Sequence, residues 1–254
     1  MTETHLRERA ANMADDSDIR HFFATDFLVV GFFTPNYEPA ARAFAQNLAE
    51  HRISHHLYAR PIVEGDWYSQ TRQKPTVLAH ARRDYPNENL IFMDVDCRVR
   101  GDISGILNTR GDVVMRTKGT AKGTQRALKP TTRVLLLRPT PGADAFIAGW
   151  EGTCRSAGPG QSAEFMLIHA MSDSPEIYSV GTLPIRLAGI ELHDAHPDAV
   201  IVHDSIRDPT RPAWALRRGA QKYFRAGRNA AYRLATGKTY DELYGKRRAG
   251  QKIQ

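Results

Sequence analysis

Two segments in the first hundred residues are continuously apolar, a third and shorter strand-like run lies between them, and helical repeats separate the three. Phe27–Phe33 (FLVVGFF) and Leu90–Met93 (LIFM) have no polar position to spare for solvent, which predicts strands of a sheet covered on both faces. SHHLYA, residues 54–59, predicts a shorter strand between them. Ala40, Phe44, Ala45 and Leu48 recur at helical spacing from Glu38 to Glu50, and Pro75 at a first turn opens a helix over PTVLAHARR. Strands alternating with helices in this way predict a parallel α/β sheet.

Beyond residue 96 the alternation loosens. DVVMR and TRVLLLR read as strands separated by a loop rich in Gly, Lys and Thr, so the sheet is expected to become mixed. GADAFIAGWEGTC reads as a helix with Phe146 and Trp150 on one face, and SAEFMLIHAM as a second helix capped by Ser162. AVIVH predicts a last short strand ending at His203. No repeat and no linker divides the chain.

Composition narrows the class. The chain has 254 residues, 41% hydrophobic and 25% charged, as in ordinary globular proteins. No stretch is apolar enough to span a bilayer, and the first twenty residues lack the apolar centre of a signal peptide, so the expected location is cytoplasmic. Two cysteines, Cys97 and Cys154, are too few for a disulfide framework or a zinc cluster. The net charge of +7 is concentrated from Arg211 onward, and the remainder is slightly acidic. That tail interleaves its charges with Trp214, Tyr223, Phe224 and Tyr232, a pattern that suits a helix on an anionic membrane at the inner face, an acidic partner, or the protein's own surface. Nucleic acid would account for the charge but not for a pair of aspartates at the end of a buried strand.

The chemistry is concentrated at the end of the apolar run LIFM, where Asp94 and Asp96 follow directly. Residues i and i+2 of a strand share a face, so the two carboxylates are expected to point together and to repel unless a cation lies between them. Carboxylate oxygens favour hard ions, Mg²⁺ or Mn²⁺, that keep positions open for phosphate oxygens. In parallel sheets ligands bind beyond the carboxyl ends of the strands, where Thr34–Tyr37 and Asp94–Asp96 both fall. The polar run HDAHPDAVIVHDSIRD offers a rival cluster in His193, Asp194, His196 and Asp198, but its spacing fits no helix face and Pro197 interrupts it, which favours a loop.

D-x-D after a buried strand occurs in two catalytic groups. In haloacid-dehalogenase-like phosphatases the motif lies near the N-terminus, with Thr or Val four residues after the first Asp; here a βαβ unit precedes it and the position is Arg98. The wider resemblance, from about Phe27 to Trp214, is to GT-A glycosyltransferases. It is carried by FFTPNYEPAARAFAQNLAEHRI, by KPTVLAHARRDYPNENLIFMDVDCRVRGDIS, by TRVLLLRPTPGADAFIAGW, by GQSAEFMLIHA and by AVIVHDS, in that order. The late motif departs from the best-known form, with Asp204 and Ser205 after His203 and a longer gap to RPAW.

The resemblance implies a GT-A-like, Rossmann-like sheet, mixed but mainly parallel and flanked by helices. It implies a polar extension over 1–24, a transferase domain over 25–212, and a basic helical tail over 213–254. It implies transfer of a sugar from a UDP- or GDP-linked donor to a hydroxyl on a glycan, lipid-linked or small-molecule acceptor, with Mn²⁺ or Mg²⁺ as cofactor. Asp94, Asp96 and His203 are its implied metal ligands. Thr34, Asn36, Tyr37, Lys74, Asp94 and Arg211 are its implied donor contacts, and Glu164, with Gln161 beside it, its implied acceptor-side base. A Mg²⁺-dependent phosphatase and a non-catalytic basic binding protein are the alternatives.

Overall fold

A computed structural model describes residues 17–65, 67–122, 125–173, 177–188 and 199–203, with backbone alone at 118–122 and 125–129. A seven-stranded sheet of order β1-β3-β2-β4-β7-β6-β8 forms its centre. The strands are β1 (Ile19–His21), β2 (Leu28–Phe33), β3 (His55–Ala59), β4 (Leu90–Met93), β6 (Val113–Lys122), β7 (Gln125–Leu137) and β8 (Val180–Thr182). β2, β3 and β4 are mutually parallel, whereas β1 and β7 run antiparallel to their neighbours. The mixed sheet expected from the sequence is present.

The continuous apolar runs are explained by two cores, one on each face. Leu28 and Val30 of β2 join Leu90 and Phe92 of β4 beneath helices α3 (Lys74–Asp84), α4 (Pro141–Arg155) and α5 (Ala163–Asp173). Val29, Ile91 and Met93 point the other way, into Ala41, Phe44, Ala45 and Leu48 of α1 (Glu38–Glu50). The period of two along each strand thus feeds two apolar layers in place of one apolar and one wet face. Gly31 lets β2 and β4 approach: a Cβ there would lie 2.6 Å from the carbonyl oxygen of Met93.

Two stretches differ from their sequence reading. Within the stretch 117–131, expected as a loop, residues 117–122 and 125–131 lie in β6 and β7, whose ladder continues as far as Lys122 opposite Gln125. Register, set by the buried ends Val113–Met115 and Leu135–Leu137, overrides the low strand propensity of Gly and Lys there. The sheet also begins inside the stretch assigned to a polar extension. β1 lies against β3, and Asp18 fixes it by accepting from the Ala59 amide at 2.7 Å and from His56 Nε2 at 2.9 Å. The Tyr85 hydroxyl bonds the other ring nitrogen of His56 at 2.9 Å, completing a buried polar chain.

The C-terminal end of α3 is tied to the sheet by Arg82, which is 8% exposed. Its guanidinium donates to the carbonyls of Glu88 at 2.8 Å, Leu137 at 3.1 Å and Arg138 at 2.7 Å. Burial pushes its pKa down, and Asp144 and Glu88 partly offset this. These bonds hold α3 against the entry to β4 and the exit of β7, and so set where the N-terminus of α3 meets the end of β4. Arg82→Met is expected to lower unfolding stability by about 3 kcal/mol, because it leaves buried carbonyls without donors; a fall in the urea midpoint at unchanged m-value is the readout.

Candidate functional site

β4 stops at Met93 and gives way to a turn. The Cys97 amide donates to the Asp94 carbonyl at 2.9 Å, closing residues 94–97, and the Asp94 amide is held by the Arg133 carbonyl at 3.0 Å. Asp94 and Asp96 are therefore brought to one side by a β-turn, and not by the pleat of a strand as their spacing suggests. Cys97–Val99 then forms β5, which pairs antiparallel with β9 (Ile201–His203) in a separate two-stranded sheet. Cys97 stands opposite His203 in that ladder, so a residue more than a hundred positions away arrives beside Asp96.

The resulting cluster is compact. One ligand-type atom from each of Asp94, Asp96 and His203 lies within 4.8 Å of the others. His203 Nε2 is 2.8 Å from Asp96 Oδ1 and 3.7 Å from Asp94 Oδ2. Burial works against a charged imidazole, but hydrogen bonds and charge from Asp94 and Asp96 prevail and raise the His203 pKa above 6.5. Burial likewise disfavours the Asp94 carboxylate; the Lys74 ammonium and His203 overcome it and hold the Asp94 pKa below its usual value. Cys97 is buried, and its thiol is pushed well up by desolvation and by the neighbouring carboxylates, which makes it a packing residue and not a nucleophile.

Lys74, at the first position of α3, is 6% exposed. Its Nζ lies 2.6 Å from Asp94 Oδ1 and 2.9 Å from Oδ2, with Thr132 completing its shell through O at 3.2 Å and Oγ1 at 3.3 Å. The sequence resemblance aims this ammonium at a phosphate or a base. In the structure its hydrogen bonds go to Asp94 and Thr132, so it sets the charge and the orientation of the first aspartate. Thr132 carries no signal in the sequence, because only the β4–β7 pairing brings the start of the TRVLLL run under the α3 N-terminus.

The remaining candidates divide. Thr34, Asn36 and Tyr37 lie in a single 3₁₀ turn at the carboxyl end of β2, next to β4 in the sheet. The Thr34 hydroxyl is 2.6 Å from Asn36 Oδ1, the Tyr37 amide donates to the Thr34 carbonyl at 2.7 Å, and the half-buried Tyr37 ring packs on the α1 side of the core. Glu164 is in the first turn of α5, with Gln161 just before it. Gln161 Oε1 accepts from the Gly158 amide at 2.7 Å, so that end of its side chain closes its own loop. Arg211, the basic tail and the rival cluster at 193–198 lie outside the described residues.

As a donor set, two carboxylates and one imidazole fit a hard or borderline divalent ion such as Mn²⁺ or Mg²⁺. Lys74 and Thr132 stand behind Asp94 as the outer partners that orient a ligand. The Lys74–Asp94 pair is mostly buried, and removing one charge strands the other. Lys74→Met is expected to cost about 3 kcal/mol of stability in chelator-treated protein. The Lys74→Met/Asp94→Asn double variant is expected to lose clearly less than the two single losses together, and a double-mutant cycle by urea denaturation measures the coupling.

No family model matches the sequence, and no curated protein resembles it significantly. Solved structures do. A glycosyltransferase involved in the glycosylation of the major capsid of PBCV-1 superimposes with a TM-score of 0.52 at 11% identity, over 74% of this chain and 98% of that one. The galactosyltransferase LgtC, solved with donor and acceptor sugar analogues, gives 0.45 at 12% identity over 77% and 94%. The glycosyltransferase GlyE of Streptococcus pneumoniae TIGR4 gives 0.45 at 14% identity over 70% of this chain and 54% of its own, so the chain spans about half of GlyE. With its mixed, mostly parallel sheet and an aspartate pair beyond the end of β4, the chain has the fold of the GT-A glycosyltransferases.

Proposed function

We propose that this protein is a divalent-metal-dependent glycosyltransferase that moves a sugar from a nucleoside diphosphate donor, UDP- or GDP-linked, to a hydroxyl acceptor in the cytoplasm. The observation that carries this reading is the Asp94–Asp96–His203 cluster, placed just beyond the carboxyl end of a central strand in a GT-A fold. Fold alone does not assign chemistry. A preorganised donor set at the position where such sheets bind ligands supplies the second, independent support.

Asp96 and His203 would hold the ion, with Asp94 as third ligand or as an acceptor for the donor's ribose. When bound, the ion supplies positive charge to offset the diphosphate leaving group as the anomeric bond breaks. Lys74 keeps Asp94 ionised and oriented before any donor arrives. The turn holding Thr34, Asn36 and Tyr37 lies beside this end of β4 and offers hydroxyl, amide and aromatic groups to a nucleoside. Glu164, half-buried in the first turn of α5, is the residue assigned to the acceptor hydroxyl: as general base if configuration inverts, as an orienting group if it is retained. The phosphatase alternative, in which Asp94 would attack phosphorus, is disfavoured by the fold, which resembles that of a glycosyltransferase.

A thermal-shift series with UDP, GDP, CDP and ADP, each with and without Mn²⁺, tests the reading. One nucleotide is expected to stabilise the full chain only with the metal present, by roughly 2.7 kcal/mol at a hundredfold excess over Kd. Asp96→Ala and His203→Ala are each expected to abolish that increment. An undiminished metal-dependent increment in Asp96→Ala would sink the assignment.

A further inference from the structure

The chain sets a fixed positive charge against the cluster that the proposed function assigns to a divalent ion. Lys74 is buried, and its Nζ lies 2.6 Å from Asp94 Oδ1 and 2.9 Å from Oδ2. The same ammonium donates to the Thr132 carbonyl at 3.2 Å and to Thr132 Oγ1 at 3.3 Å, with the Phe92 ring centroid 5.5 Å away. The backbone that carries it is pinned on both sides. Before it, α2 (Trp67–Thr71) joins α5 where the Ala163 amide donates to Thr71 Oγ1 at 3.2 Å. Arg72 reinforces that junction by donating to the carbonyls of Gly158 at 2.7 Å and Gln161 at 3.2 Å. After it, Arg82 anchors the far end of α3. Lys74 therefore cannot leave Asp94 without giving up its bonds to Thr132 and exposing a half-buried carboxylate to its neighbour, Asp96.

This arrangement opposes an ion in two ways. The oxygen of Asp94 nearer His203 is Oδ2, 3.7 Å from Nε2, and that oxygen is also bonded to Lys74. Oδ1 is closer still to Nζ, so Asp94 has no oxygen that is clear of the ammonium. The second effect is charge. With His203 neutral, as a ligating imidazole must be, Asp94, Asp96 and Lys74 together carry a net charge of −1, and without Lys74 the cluster would carry −2. An outer partner that is a carboxylate makes a ligand more basic and tightens its hold on a metal. A cation in the same place draws charge away and repels the ion directly.

We propose that Lys74 is a positioning residue that holds down the metal affinity of the bare site: it fixes the orientation of Asp94 and cancels part of the charge that would bind the ion. The site then takes up and gives back a divalent ion readily, and does not keep it as a resident structural metal. This inference rests on the reading of Asp94, Asp96 and His203 as metal ligands, and not on the donor, the sugar or the acceptor. It reverses the sign expected of a partner that serves only to orient a ligand, whose loss lowers metal affinity.

The experiment is a titration of Mn²⁺ into the full chain, first freed of metal with EDTA and without nucleotide, with free Mn²⁺ read by its electron paramagnetic resonance signal at constant pH and ionic strength. Lys74→Gln removes the charge and keeps a hydrogen-bond donor, whereas Lys74→Arg keeps the charge. The expected result is Mn²⁺ binding about tenfold tighter in Lys74→Gln than in the wild type, with Lys74→Arg close to the wild type. Asp96→Ala added to Lys74→Gln is expected to remove the gain, which places the bound ion at this cluster. Circular dichroism and urea denaturation follow the fold, and Mn²⁺ is expected to raise the urea midpoint of Lys74→Gln by more than that of the wild type. Equal or weaker binding in Lys74→Gln, or binding as tight in Lys74→Arg as in Lys74→Gln, overturns the proposal. A Lys74→Gln chain that stays unfolded with Mn²⁺ present overturns it too, because the lysine is then structural. In each of these cases, wild-type binding that Asp96→Ala abolishes leaves the metal reading standing. No Mn²⁺ bound by the wild type or any variant, with UDP or GDP added as well as without, overturns both.

Discussion

Two carboxylates set at the mouth of a buried strand repel each other and resist desolvation, and much of the architecture around them places cationic or hydrogen-bonding partners against them. Lys74 reaches Asp94 from the start of α3, and His203 reaches Asp96 from the far end of the chain. Neither contact is a surface ion pair: the side chains of Lys74 and His203 are 8% and 7% exposed, in surroundings where charges interact more strongly than in water. Thr132 stands behind Lys74 and would keep Asp94 oriented if the three side chains held an ion.

The fold supplies the fixed distances that this balance needs. β4 is paired on both sides, parallel to β2 and antiparallel to β7, so the end at Met93 cannot slip. α3 is anchored at its C-terminal end by Arg82 and at its N-terminal end by the Lys74–Thr132 contacts, so it acts as a strut between the two ends of the same strand. A small second sheet, β5 with β9, carries the histidine. Its three paired positions set His203 opposite Cys97, and the Arg100 amide extends the junction by donating to the Val200 carbonyl at 2.8 Å.

The helices at the carboxyl end of the sheet show a division of labour along one short stretch of chain. From Trp67 to Lys74, two aromatic rings are left to solvent, a threonine and an arginine fasten α5, and the lysine secures an aspartate.

By itself the sequence determined the elements and the chemistry. The uninterrupted apolar runs at 27–33 and 90–93 require strands buried on two faces, the helical repeat from Glu38 to Glu50 requires a covering layer, and aspartates at the end of such a run demand compensation. Local pattern suffices for these because burial and periodicity are properties of neighbouring residues. It did not suffice for the β6–β7 ladder over 117–122 and 125–131, where pairing with a partner strand outweighs glycine and lysine, nor for β1, whose short polar sequence is held by Asp18 and His56. The turn at 94–97, the binding of Lys74 to Asp94 and Thr132, the arrival of His203 opposite Cys97, and the meeting of the aromatic helices at Thr71 and Ala163 were decided by tertiary structure alone. Each joins residues that are near in space only because sheet register places them so, and register is a property of the whole sheet.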